Sequence, residues 1–247
     1  MKTNMLKLND DKTEILIIRP KTANQHLLPE SVRIGNTNVT PNTHARNLGV
    51  TFDCNMSLER HVTNISRTAY YHLHSIGRIR RYLEQGHTKQ LVHALVISRI
   101  DCCNSLLNGL SAAVVEKLQR VQNACARVIL IRSKRDHVTP MLLELHWLPV
   151  KCRITFKTLL LTFKCLHGLA PTYLSALLSP YCPTRSLRSS DQLLLNQPTS
   201  RTKIGERSFS CAAPRAWNQL PIDVRQCTCV KHFKVALKTH LFTAYYF

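Results

Sequence analysis

The sequence predicts an α+β fold that is mostly α. Apolar residues recur every three or four positions from Leu58 onward, the mark of amphipathic helices. Short apolar runs closed by turn residues are confined to the N-terminal part, and the stretch after Pro180 is rich in Pro, Ser and Arg. The expected division is therefore short strands over 1–56, a helical region over 57–180, and a basic loop, short β-hairpin and C-terminal helix over 181–247.

In the first region, Glu14–Arg19 carries the run Ile15-Leu16-Ile17-Ile18, suited to a buried strand, and Pro20 ends it because proline cannot extend a ladder. Ser31–Ile34 and Asn47–Phe52 are two further strand candidates, with Gly35-Asn36 a turn signal after the former.

Leu58, Val62, Ile65, Ala69, Leu73 and Ile76 then form one stripe of a helix, with Ser57 as its N-cap and Glu59 in its first turn. Gly86 is expected to follow its end. A second helix is expected from about His87 to Leu107, apolar through Leu91, Leu95, Val96 and Ile100. A third starts near Ser111 and carries Val114, Leu118, Val121, Cys125, Val128 and Ile129 on one side. Long helices with short links suggest a bundle.

Pro140 and Pro149 bracket a short helical segment, and a helix over Val150–His167 is closed by Gly168. Pro171 opens another short helix through Leu178. A strand at Gln192–Leu195 is expected to pair with Ser208–Cys211, and the final helix spans about Val230 to Ala244.

Charge narrows the function. The 247 residues carry 34 Lys+Arg against 14 Asp+Glu, a formal net charge of +20. A solvated surface needs charge but not one sign, and such an excess repels itself unless a polyanion neutralises it. Nucleic acid is the favoured partner, through counterion release from phosphates, ahead of an anionic membrane surface. No apolar run approaches a membrane-spanning length, and no signal-peptide core is visible, so the ten Cys are expected as thiols in a reducing compartment, nucleus or cytoplasm, rather than secreted.

Four ordered stretches add a more specific reading. They are Leu6-Lys7-Leu8-Asn9-Asp10-Asp11-Lys12-Thr13-Glu14; Asn47-Leu48-Gly49-Val50-Thr51-Phe52-Asp53 followed by Leu58 and His61; Leu145-His146-Trp147-Leu148-Pro149-Val150 with Arg153-Ile154; and Phe209-Ser210-Cys211-Ala212-Ala213-Pro214-Arg215-Ala216-Trp217-Asn218-Gln219-Leu220-Pro221, leading into Phe233-Lys234 and Leu237–Phe242. In order and spacing they resemble the reverse transcriptases of LINE-type, jockey-like non-LTR retrotransposons, over nearly the whole chain. The resemblance implies a palm remnant at 1–56, a helical thumb-like connection at 57–180 and the region the family carries after it.

That family's polymerase chemistry needs an F/Y-A-D-D turn and a third upstream Asp to hold two metal ions. This sequence has no such turn, and Asp10-Asp11 sits where the family places a segment downstream of it. The resemblance thus implies a truncated, catalytically inactive relative of an RNA-directed DNA polymerase, with Mg²⁺ belonging only to the intact parent enzyme. No cofactor, catalytic residue or small-molecule substrate is expected of this chain. Lys12 matches a family lysine near the nucleotide site and is read here as a surface lysine beside Glu14.

Candidate phosphate contacts are Arg67, Arg78, Arg80 and Arg81 off the apolar stripe of the first helix, and Lys117, Arg120, Arg127, Arg132, Lys134 and Arg135 on the third helix and its exit. A thumb grips the backbone of RNA or an RNA/DNA duplex, so such residues would position it without reading bases. The bland alternative is an ordinary solvated face. Arg185, Arg188, Arg201 and Lys203 add to the same field.

Cys227-x-Cys229 with His232 and His240 is the best zinc candidate, but its cysteines are closer than the usual two-to-four-residue spacing. Adjacent Cys102 and Cys103 on a helix would point to different sides. No G-x-S-x-G elbow and no phosphate-binding G-x-x-x-x-G-K-[ST] loop occurs. Trp217, Trp147 and Phe209 are read as core. The rival functions are a non-enzymatic interaction module or transposon relic, and part of an active RNA-directed DNA polymerase.

Overall fold

The computed structural model describes residues 13–19, 29–35, 37–182 and 192–247. The expectations placed on Asp10-Asp11, Lys12, Pro20, Asn36, Arg185 and Arg188 fall outside them. The chain divides into two compact units, Met1–Asn64 and Ile65–Phe247.

Among the described residues, three two-stranded sheets make up the β content of the first unit. β1 (Ile15–Leu16) pairs in parallel with β4 (Pro41–Asn42); β2 (Val32–Ile34) and β3 (Thr37–Val39) form an antiparallel hairpin, as do β5 (His44–Asn47) and β6 (Val50–Asp53). Gly35, at φ +58, marks the turn that its left-handed freedom suggested. The single strand expected at Asn47–Phe52 is instead a hairpin bend. Leu48 and Gly49 both take positive φ, at 47° and 86°, which reverses the chain.

Helix α1 (Glu59–Ile79) buries Val62, Ala69, Leu73 and Ile76, and Leu58 just before it is buried too, the stripe read from the sequence, with Ile65 half-buried. A 3-10 turn at Arg80–Tyr82 ends it, and α2 (Gln85–Val92) starts at once. Gly86 follows the end of α1, as expected, and lies in the first turn of α2. The expected continuous helix to Leu107 is broken. A π-turn at His93–Ile97 leads into α3 (Ser98–Asp101), and Cys103 at φ +53 separates that from a 3-10 turn at Asn104–Leu107. The wider π-turn shifts the phase of the buried face, so Val92, Val96, Ile97 and Ile100 are core while Leu91 and Leu95 are half-buried. At the break, Cys102 and Cys103 do not diverge: both are exposed and their sulfurs lie 3.9 Å apart.

Helix α4 (Ala112–Leu130) follows Ser111 and buries Val114, Leu118, Val121, Gln122, Cys125, Ala126 and Ile129. Val128, expected on that stripe, is half-buried. Pro140 sits in the first turn of α5 (Val138–Glu144), where its missing N–H costs nothing. Helix α6 (Val150–Leu166) is closed by Gly168 at φ +67. The turn between α5 and α6 is anchored by α4. Gln122 Nε2 donates to the Leu148 carbonyl at 2.9 Å, and the Val150 N–H donates to Gln119 Oε1 at 2.9 Å.

The C-terminal elements are α7 (Thr172–Ser175), α8 (Lys203–Glu206), α9 (Phe209–Asn218), α10 (Ile222–Arg225) and α11 (Val230–Tyr246). The expected β-hairpin of Gln192–Leu195 with Ser208–Cys211 is corrected, because Ser208 is the N-cap position of α9. Cys211, Ala212, Ala213, Pro214 and Trp217 are all buried in that helix, and four consecutive buried positions do not fit the alternation of a half-buried hairpin strand. Leu195 forms only an isolated bridge to Pro180. Its other partner is a side chain: Asn218 Oδ1 accepts the Leu195 N–H at 2.9 Å, and Asn218 Nδ2 donates to the Leu195 carbonyl at 2.8 Å. One amide thus replaces a strand.

The core here joins α6, α9 and α11 through Leu159, Phe163, Trp217, Leu220, Phe233 and Leu237. Phe163 and Phe233 stack with centroids 4.3 Å apart. Trp217 donates its indole N–H to the Leu193 carbonyl at 2.9 Å, which satisfies the polar end of a buried ring. Trp147 is buried as well, and Phe209 is half-buried.

Candidate nucleic-acid interface

The sequence-selected cations fall into three groups. Arg67, Arg78 and Arg81 are exposed and lie on α1 or its 3-10 extension at intervals that place them on one side of the helix. Arg120, Arg127, Arg132 and Lys134 line a groove of about 630 Å³ between α1 and α4, with Tyr70 on the α1 side. Lys117 and Arg135 are exposed on α4 and its exit but do not line the groove.

Arg80 behaves differently from its neighbours. Its Nε donates to the Val128 carbonyl at 2.9 Å, its Nη2 to Ile129 at 2.8 Å and its Nη1 to Leu83 at 2.6 Å. Those acceptors include the last carbonyls of α4, which have no partner inside their own helix. Arg80 therefore fastens the end of α1 to the end of α4 and holds the groove's two walls together.

The groove's far end is a folded turn. Helix α4 stops at Ile131, which takes φ +52 and is 71% exposed, so the following residues leave the helix axis sharply. Asp136 Oδ2 accepts the Ser133 N–H at 2.9 Å, and Arg127 Nη2 donates to the Asp136 carbonyl at 3.2 Å. That turn presents Arg132 and Lys134 to the groove. Glu116 stands 4.0 Å from Arg120, an exposed pair of small energetic weight.

Sequence reasoning missed the aromatic residues of this surface. Tyr71 and Tyr82 are 70% and 72% exposed, and Tyr70 is about half exposed. Burial pushes the Tyr70 phenol up, against the opposing pull of Arg120. Arg81 lies over the Tyr82 ring, 4.7 Å from its centroid. The signal was present, because Tyr70, Tyr71 and Tyr82 all fall off the α1 stripe. Cations interleaved with exposed rings suit phosphates and unstacked bases together.

The zinc candidate resolves into helix-end chemistry. Cys229 Sγ accepts the His232 N–H at 3.4 Å and caps α11, while Cys227 Sγ donates to the Asp223 carbonyl at 3.6 Å. Among the described residues no group of three His, Cys, Asp or Glu side chains is placed to hold a metal ion. Among them also, no helix is long and apolar enough to cross a membrane. No family model, no curated protein and no solved structure matches the chain.

Proposed function

We propose that this chain is derived from a non-LTR retrotransposon reverse transcriptase, corresponds to the part beyond the catalytic turn, and binds RNA or an RNA/DNA duplex without polymerising. The observation that carries the binding reading is the gathering of Arg120, Arg127, Arg132 and Lys134 around one groove, beside an α1 surface bearing Arg67, Arg78 and Arg81. Their contacts would go to phosphates, giving affinity without sequence preference.

The reverse-transcriptase reading is supported by the ordered sequence blocks, three of which make local junctions. Asn47–His61 makes a hairpin, turn and helix start; Leu145–Ile154 makes the α5–α6 turn; and Phe209–Pro221 makes α9 and its exit. A salt titration of filter binding tests the function. Affinity should fall steeply with salt, and Arg120→Gln, Arg132→Gln and Lys134→Gln together should flatten the log–log slope by about 2–3, near 0.9 per phosphate contact on a duplex. Binding indifferent to salt, or none at low salt, would overturn it. Primer extension with Mg²⁺ on a primed RNA template should give no product beside an active control enzyme.

A further inference from the structure

A second cavity, of about 490 Å³, lies between α2, α6, α11 and the α5–α6 turn, away from the groove described above. Its lining combines two kinds of surface. Lys89, Lys157, Lys234 and Lys238 are exposed around it, and among the described residues none of these four is in an ion pair. The same lining carries apolar surface from half-buried Phe156 and Leu160 and from the largely buried Trp147 and Leu148. The His93 ring stands edge-on to Trp147, with centroids 5.6 Å apart.

The polar floor is arranged in a fixed order. Arg153 grips Asp101 with two nitrogens, Nε to Oδ1 at 2.8 Å and Nη2 to Oδ2. Asp101 Oδ1 also accepts from Asn104 Nδ2 at 3.4 Å. An ionised carboxylate only accepts, so this contact sets the orientation of the Asn104 amide. Asn104 lines the cavity, is 4% exposed, and its Oδ1 has no hydrogen-bond partner. An acceptor buried without a donor is unfavourable, and a ligand N–H would satisfy it.

Each part excludes a simpler ligand. A bare polyphosphate would use the lysines but leave the apolar surface and the Asn104 oxygen unmatched. A neutral ring compound would use that surface and not the lysines. We propose that this cavity binds a nucleoside phosphate whose base carries an exocyclic amine: base against Trp147 and Phe156, amine toward Asn104 Oδ1, phosphates among Lys89, Lys157, Lys234 and Lys238. The volume falls in the range of small-ligand sites. Burial pushes the His93 imidazole down, aided by Arg153 and Lys89 and opposed by Asp101.

Tryptophan fluorescence of the full chain at 150 mM salt tests this, since Trp147 lines the cavity and Trp217 does not. The probes are ATP, inosine triphosphate, tripolyphosphate and adenosine. ATP should bind saturably and at least tenfold more tightly than each of the other three; inosine triphosphate replaces the amine with a carbonyl that would face the Asn104 oxygen. Lys234→Gln with Lys238→Gln should weaken ATP at least tenfold, with Lys203→Gln, on α8, without effect. Asn104→Leu should abolish the preference for ATP over inosine triphosphate. Tripolyphosphate as tight as ATP, equal binding of the two nucleotides by the unaltered chain, or no saturation below millimolar ATP would overturn the proposal.

Discussion

The Leu58 backbone N–H donates to Asp53 Oδ2 at 2.7 Å, the shortest of four hydrogen bonds that this carboxylate receives. The others come from the N–H groups of Asn55 and Ser57 and the Ser57 hydroxyl. Met56 and Leu58 take positive φ of 51° and 55°, so the chain between β6 and α1 is tightly wound around one side chain. Asp53, rather than the expected Ser57, is the main organiser of this helix entry, although Ser57 Oγ still accepts the Glu59 N–H at 3.4 Å.

Removing that carboxylate should loosen the junction. Burial pushes the Asp53 carboxyl up, but the hydrogen bonds from Ser57, Leu58 and Asn55 together outweigh it and hold the group below the ordinary carboxylate value. A depressed folded pKa means stability that is present above the unfolded value, about 3.9, and is lost as pH falls through the folded one. Asp53→Ala should cost about 1–2 kcal/mol at pH 7, the scale of a lost helix cap. Denaturant titrations at pH 7 and below pH 3 should show the difference between variant and parent shrinking at the acid end; a constant difference would refute the assignment.

A second acid-sensitive group lies close by in sequence. His61 is buried, and its Nδ1 faces the Thr51 N–H at 3.4 Å, so that nitrogen must be unprotonated to accept. Burial pushes its pKa below the usual 6.5. The folded state therefore disfavours the proton, and its contribution is lost as pH falls from 6.5 through the depressed value. Proton-detected titration of the ring should give a midpoint under 6.5 in the folded chain, and His61→Gln should flatten the stability profile over that interval. A midpoint at or above 6.5 would contradict the buried, neutral ring.

Asp53 and His61 also show what the sequence makes legible. The helical stripe from Leu58 to Ile76 is readable because burial follows a 3.6-residue period, α4 is readable for the same reason, and α6 is delimited by Pro149 and Gly168. The π-turn at His93–Ile97 is not readable, because one extra residue per turn leaves no compositional mark. Helix α9 was misread as a strand partner because Ser208–Cys211 is too short a window to separate the two periods, and because the partner of Leu195 is the Asn218 side chain, a tertiary contact that local pattern does not encode. The basic surface was legible as charge. That Arg80 is held by three backbone carbonyls, unlike the cations that line the groove, is a tertiary arrangement that no local pattern encodes.

Asn218 accordingly carries a specific expectation. Leu195 is buried, and the amide of Asn218 satisfies both its N–H and its carbonyl. Asn218→Ala should leave two backbone groups without partners and cost about 2–4 kcal/mol, at roughly 1–3 kcal/mol for each buried group. In a domain of this size that lowers the melting temperature by several degrees, at about 2–4 °C per kcal/mol. Asn218→Asp retains an acceptor for the N–H and loses the donor, so it should fall between the two. Equal stability of Asn218→Ala and the parent would show that Leu195 finds other partners.

Arg80 separates the structural cations from the proposed phosphate contacts. Its guanidinium spans the carbonyls of Leu83, Val128 and Ile129, so its replacement should act on stability. Hydrogen bonds to charged groups contribute about 1.5–3 kcal/mol, and the carbonyl end of α4 also favours a nearby positive charge. Arg80→Lys keeps the charge but not the planar fork, and should therefore destabilise nearly as much as Arg80→Gln. Below the melting transition, neither should change the salt slope of nucleic-acid binding, whereas the combined replacement of Arg120, Arg132 and Lys134, which face the groove, should change the slope and leave the melting temperature nearly untouched. A lysine variant as stable as the parent would mean that charge alone acts at position 80. A reduced slope in the glutamine variant would return Arg80 to the phosphate-binding set, and the two readouts together tell a clamp from a contact.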